Sequence, residues 1–240
     1  MVKKLFCIVL LIGFIASCNI GESATEKINT ATSITILIDH TDGITKEQQA
    51  RLIHEISILK DSLKENDQLT IYEVSGSYEK IAEQYTPLYS TTIPANPNEC
   101  NEITTTCKKV QKRYDTFEQT FSDTLTNISF DTSYDNSYIL ESLQMIVTTK
   151  QFQSFQNKKF IIFSNMLQNS KAVSHYRNYD TIENLQKELH IFNVKGTLIN
   201  TKVDINMLPD NKRLQDEKLR EWWGDYFKIT NANTVNILIF

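Results

Sequence analysis

The chain holds 240 residues, with 25 Lys+Arg against 29 Asp+Glu, a formal charge of −4 and 40% hydrophobic residues. This suits one medium globular domain with additions and excludes a disulfide-dense miniprotein, a collagen or a wholly disordered tail. Lys3 and Lys4 belong to an N-terminal leader; without these two of the 25, 23 basic residues face 29 acidic ones, a charge of −6, so no nucleic-acid partner is expected.

The leader opens with the basic segment Met1 to Lys4, continues as an apolar run from Leu5 to Ile15, and ends in Ala16, Ser17 and Cys18. The run is too short to span a bilayer comfortably and reads as an export signal over residues 1–18. Ile15-Ala16-Ser17-Cys18 resembles the bacterial lipoprotein lipobox, in which a peptidase cuts before a cysteine that carries a diacylglyceryl group. That resemblance implies lipidation of Cys18 and a mature protein held on a membrane outside the cytoplasm, since more than one acyl chain gives firm anchoring. Asn19 follows rather than Asp, which points to the outer membrane in a two-membrane cell. The alternative is a conventional signal peptide with Cys18 incidental.

Cys7 leaves with the leader, so Cys100 and Cys107 remain as a pair in an oxidising compartment. A disulfide closing a short loop is expected, worth about 2 kcal/mol; two free thiols are the alternative. A cysteine metal site would need further ligands, and His40, His54, His175 and His190 show no metal-like spacing.

Residues 19–33 are polar, the composition of a flexible tether, and 34–240 form the domain. Ile34 to Ile38 is a compact β-branched run, as in a strand buried on both faces of a parallel sheet. Asp39-His40-Thr41-Asp42-Gly43 ends it as a polar loop. Thr45 to Gln48 is a capping box, after which Ala50, Leu52, Ile53, Ile56, Leu59 and Leu63 share one helical face. Leu69 to Val74 is the next strand, completing a right-handed crossover unit. An edge strand is expected near 88–92, then a mostly helical stretch over 100–128 carrying Val110, Tyr114, Phe117 and Phe121. A polar turn at 131–136 precedes a helix through Ile139, Leu143, Ile146 and Val147. Lys159 to Phe163 is a further strand, with Ser164 and Asn165 at its end. There follow a helix around Ile182–Leu189, a strand over Phe192–Ile199, a helix over Leu214–Phe227 with Trp222 or Trp223 packed on the sheet, and a closing strand over Thr234–Phe240. The alternation predicts an α/β domain with a doubly wound, mainly parallel sheet flanked by helices.

Chemistry in such sheets gathers outside the carboxyl ends of the strands, where strand order reverses. The polar strand ends are Asp39 to Gly43, Asn136-Ser137 and Ser164-Asn165. This order of elements resembles the von Willebrand factor A domain over residues 34–240. Asp39-x-Thr41 matches the first two positions of that family's Asp-x-Ser/Thr-x-Ser motif, and Gly43 departs from the third. Ser137 stands where the family has a threonine before its middle helix, and Asn165 where it has an aspartate after the fourth strand. The resemblance implies a degenerate metal-ion-dependent adhesion site in which Asp39, Thr41 and Ser137 offer oxygens, Asp42 returns a carboxylate and Asn165 an amide oxygen, to Mg²⁺ or another divalent cation. The alternative is structural, with Asp39 capping the following turn and the two hydroxyls satisfying backbone groups.

No enzyme is expected: no nucleophile with a positioned base is found, and Ser164 lacks the flanking glycines of a nucleophile elbow. The expected function is a lipid-anchored extracytoplasmic module that binds a protein partner, in adhesion or envelope-complex assembly. A metal-independent accessory lipoprotein of a secretion or conjugation apparatus, recognising partners through loops 76–98 or 166–180, is the second reading, and a small hydrolase the third.

Overall fold

The computed structural model describes residues 31–83, 85–101, 106–130, 133–177, 181–182 and 196–240. The leader with Cys18, the tether as far as residue 30, the helix expected beyond Ile182 and the strand expected as far as residue 195 lie outside these.

The described residues build one six-stranded sheet from β1 (Thr32–Ile38), β2 (Gln68–Glu73), β3 (Tyr89–Thr92), β4 (Asn157–Ser164), β5 (Thr201–Met207) and β6 (Thr234–Ile239). Its order is β3-β2-β1-β4-β5-β6. Every pair is parallel except β2 with the edge strand β3. The helices are α1 (Lys46–Asp61), α2 (Tyr78–Glu83), α3 (Cys107–Asn127), α4 (Ile139–Thr148), α5 (Lys150–Gln153) and α6 (Glu217–Ile229). This is the doubly wound arrangement the sequence predicts, and its strand order reverses between β1 and β4.

Why β1 reads as a compact β-branched run is visible in its two faces. Ile34, Ile36 and Ile38 enter one core with Leu52 and Ile56 of α1 and Phe117 and Phe121 of α3. Leu37 enters the other, with Leu143 and Ile146 of α4 and Trp223 and Phe227 of α6. Side chains alternate across a strand, so a strand covered on both sides needs apolar residues at successive positions. The capping box of α1 forms as read: the Thr45 hydroxyl accepts from the Gln48 N–H at 3.2 Å, and the Gln48 side chain accepts from the Thr45 N–H at 2.8 Å.

Two expectations shift. The described part of the strand expected at 192–199 is turn, with Gly196 and Asn200 at φ 75° and 59°. The strand is β5, which buries Thr201, Val203, Ile205 and Met207 and exposes Lys202. Its alternate positions are polar because one face is less completely covered, which hides it from a search for apolar runs. Helix α3 begins at Cys107, and among the described residues before it stands a 3₁₀ turn at Pro97–Glu99. The Cys100–Cys107 disulfide is present, with Cα atoms 5.7 Å apart. Both Trp222 and Trp223 are buried, and His54 is exposed. Among the described residues no helix is long and apolar enough to cross a membrane.

Candidate functional site at the carboxyl end of the sheet

The register Ile38↔Phe163 brings the ends of β1 and β4 level, so Asp39 lies beside Ser164 at the point where strand order reverses. The Asp39 N–H continues the sheet ladder to the Phe163 carbonyl at 2.8 Å, and its side chain is buried at 3% exposure. Three hydroxyls from three segments converge on its carboxylate. Thr41 Oγ1 donates to Oδ1 at 2.7 Å, Ser164 Oγ to Oδ2 at 2.6 Å, and Ser137 Oγ to Oδ2 at 3.4 Å. The Thr41 N–H adds a fourth bond to Oδ1 at 3.1 Å. Burial pushes the Asp39 carboxyl above its ordinary value, and hydroxyl donation from Ser164 and Thr41 pulls the other way.

Ser137 reaches this point because its loop is clamped on both sides. The Tyr134 N–H donates to the Thr41 carbonyl at 2.7 Å, while Ser137 and Asn169 exchange backbone bonds at 3.0 and 2.8 Å. A Cβ on Gly76 would lie 2.3 Å from the Tyr134 ring, so only glycine permits that loop to settle. The segment after β4 is equally constrained. Ser164 Oγ accepts from the Met166 N–H at 2.7 Å, and Met166 itself sits at φ 62°, a left-handed conformation that costs a non-glycine residue roughly 1–2 kcal/mol. Gln168, fully buried, accepts from the Leu140 N–H at 2.9 Å and donates to Glu141 Oε2 at 2.9 Å, capping the start of α4.

Beside Asp39 opens a cleft of about 360 Å³ lined by Asp42, Gly43, Gln48, Asn165, Pro209 and Asp210 among others. Asn165 Nδ2 donates to Asp42 Oδ2 at 2.6 Å and to Asp210 Oδ2 at 3.2 Å, and its Oδ1 accepts from the Leu167 N–H at 2.9 Å. The Tyr176 hydroxyl donates to the same Asp42 oxygen at 2.8 Å. Burial, reinforced by the Asp42 charge, raises the Tyr176 phenol. Three carboxylates and no lysine or arginine line the cleft, giving it a negative potential. Gly43, where the family motif has a hydroxyl residue, adopts φ 75° as its N–H closes a turn onto the His40 carbonyl at 2.8 Å. A side chain there would strain the turn. His40 points away, its Nε2 2.7 Å from Glu73 Oε1 and its ring edge on Phe130.

The structure therefore gathers Asp39, Thr41, Asp42, Ser137 and Asn165 at one end of the sheet. Asn165 presents its amide nitrogen to the cleft and turns its oxygen inward. Ser164, Tyr176 and Asp210 join the arrangement in addition to the site residues the sequence predicts. Ser164 was legible as a polar strand end. Asp210 and Tyr176 carried no local signal, because β5 and the loop after β4 bring them in from 45 residues and 134 residues away from Asn165 and Asp42 respectively. The three side-chain donors facing Asp39 are hydroxyls, hard oxygens of the kind found in Mg²⁺, Mn²⁺ or Ca²⁺ sites, and a hydroxyl that gives its proton to a carboxylate keeps lone pairs for an ion. Among the described residues, no group of three or more His, Cys, Asp or Glu stands close enough to hold a metal by those side chains alone.

No protein-family profile matches the sequence, and no curated protein matches it. Solved structures do. A von Willebrand factor type A protein from Catenulispora acidiphila is similar at 9% identity and TM-score 0.47, over 88% of this chain and 39% of that one. The conserved hypothetical protein BatB from Bacteroides thetaiotaomicron is similar at 10% identity and TM-score 0.43, over 87% of this chain and 91% of that one. An aerotolerance-related membrane protein from Bacteroides fragilis NCTC 9343 is similar at 11% identity and TM-score 0.40, over 87% and 92%. This chain spans about two fifths of the length of the first of these.

Proposed function

We propose that this chain is a von Willebrand factor A-like binding module, exported and held on a membrane through lipid on Cys18, that engages a protein partner at the carboxyl end of its sheet. The observation that carries the reading is the convergence of the Thr41, Ser137 and Ser164 hydroxyls on buried Asp39 beneath an open acidic cleft. In the metal-bridged form, Asp39, Thr41, Ser137 and Ser164 hold a divalent cation, with Asp42 across the cleft. The ion supplies positive charge for a carboxylate of the partner. Asp39 orients the hydroxyls, and Asn165 holds Asp42 and Asp210 together without adding a further negative charge. The metal-independent accessory reading is favoured by one observation, the Asn165 amide nitrogen facing the cleft.

Titration of Mg²⁺, Mn²⁺ and Ca²⁺ into the purified chain separates these. The metal-bridged form predicts saturable binding that Asp39→Asn abolishes and that Asn165→Asp, which returns a carboxylate, strengthens by about tenfold or more, a gain of roughly 1.4 kcal/mol. Binding of none of the three ions by either the wild type or Asn165→Asp leaves the metal-independent form. Labelling with a fatty acid in a bacterial host, lost in Cys18→Ser, checks the anchor.

A further inference from the structure

A second open cavity, of about 660 Å³, lies between the edge strand β3 and helix α3. Its floor is Tyr89 and Phe117, both buried. One wall is α3, where the hydroxyls of Thr116, Thr120 and Thr124 donate back to the carbonyls four residues earlier at 2.9, 2.8 and 2.8 Å, so their polarity is already satisfied. These are poor helix formers on an accessible face, a choice that helix stability does not explain. The other wall is β3, which pairs with β2 and, among the described residues, has no strand on its second edge. The four-residue strand Tyr89-Ser90-Thr91-Thr92 has no charge and no proline, two of the devices that keep an edge from accepting another strand, and only its shortness guards it.

Lys109, Lys112 and Arg113 line one end of this groove, and all three are exposed. Lys108 precedes them, and the first turn of α3 holds no acidic residue. Cations at a helix N-terminus oppose the helix dipole, so this placement is unfavourable for the helix taken alone. Among the described residues none of the three forms a salt bridge. The basic end of the groove lies away from the acidic cleft. Thr124 and Asn127 at the end of α3 share a cavity with Glu73 and Tyr134 at the carboxyl end of the sheet, whereas Thr92, beside the basic end, pairs with Gln68 at the start of β2.

We infer that this groove docks an extended, carboxylate-rich segment of a partner protein, which adds to β3 as a further strand with its acidic side chains on Lys109, Lys112 and Arg113. Main-chain hydrogen bonds to an open edge supply affinity that depends little on sequence, and the basic end supplies selection and direction. A trough with an aromatic floor and unpaired backbone favours such a segment over a membrane surface, which would be met by cations on a convex face.

The test uses the full chain and a fluorescent peptide of about ten residues alternating Glu and Val, with a Lys-and-Val peptide as control. Saturable anisotropy is expected for the Glu peptide alone, weakened by salt. Reversing the charges together (Lys109→Glu, Lys112→Glu, Arg113→Glu) should weaken it at least about tenfold, and these exposed positions leave the fold intact by circular dichroism. Amide hydrogens of Tyr89 to Thr92 should exchange more slowly with peptide bound, and Asp39→Asn should bind the peptide unchanged. Equal binding of the Lys peptide, or unaltered exchange in β3, overturns the proposal. So does adsorption to phosphatidylglycerol vesicles that the charge reversal abolishes while the Glu peptide fails to bind, which would give the patch to lipid headgroups.

Discussion

His175 is 2% exposed, with its ring 4.7 Å from Trp222 in edge contact and its Nδ1 accepting from the Gln168 N–H at 3.1 Å. Burial lowers its pKa from 6.5 to about 4, with a small further push from Lys218 and opposition from the Met166 carbonyl. The unfolded chain therefore takes up a proton before the folded one does. Stability from the neutral ring is complete above pH 6.5 and is lost as pH falls towards 4, by roughly 3 kcal/mol. Asp39 and Glu141 act with the opposite sign: burial raises both carboxyls, so the cost of their buried charge is relieved as pH falls through those raised values. Urea unfolding between pH 7 and pH 4 should show wild type losing about 3 kcal/mol more than a His175→Gln variant, which cannot titrate. Parallel curves would refute the assignment. The site shows the same reach at this scale. Asp39 and Thr41 are legible in the sequence because their bond spans two positions, whereas Ser137 and Ser164 meet Asp39 from 98 and 125 residues away.

Short-range constraint is clearest at the start of α3, where Thr106 makes no side-chain cap and the Cys100–Cys107 disulfide closes the preceding loop. Loop-closure entropy for so short a span gives about 2.5 kcal/mol. Cys100→Ser with Cys107→Ser should lower the unfolding free energy by about that amount, leave far-ultraviolet circular dichroism unchanged, and speed amide exchange in the first turn of α3. An unshifted denaturation midpoint would mean that α3 holds its own start. The elements legible in advance are those whose signal is local: β1 and β4 by apolar runs, α1 by its capping box, α4 and α6 by helical periodicity. Strand β5 was not legible, because Lys202, Asp204 and Asn206 interrupt it and only its place beside β4 makes that alternation sufficient.

Across the whole molecule, one side chain joins core and site. Trp223 is fully buried in the α4–α6 layer, and its Nε1 donates to the Met166 carbonyl at 2.8 Å, in the segment that carries Ser164 and Asn165. Trp223→Ala should cost about 3–5 kcal/mol. Trp223→Phe, which keeps most of the bulk and loses the bond, should cost about 1 kcal/mol and still loosen the segment, seen as faster exchange at the Met166 and Leu167 amides. A wild-type exchange pattern in Trp223→Phe would separate the core from the site. Alternation of apolar strands and amphipathic helices determined the doubly wound class from residue order alone, because burial on one or both faces imposes a period that any linear reading detects. Which hydroxyls share Asp39, which way Asn165 turns, and which strand edge stands beside Lys109, Lys112 and Arg113 were decided only by the tertiary structure. Those contacts join segments whose separation along the chain carries no periodic trace, and only the packing of helices on the sheet brings them within hydrogen-bond distance.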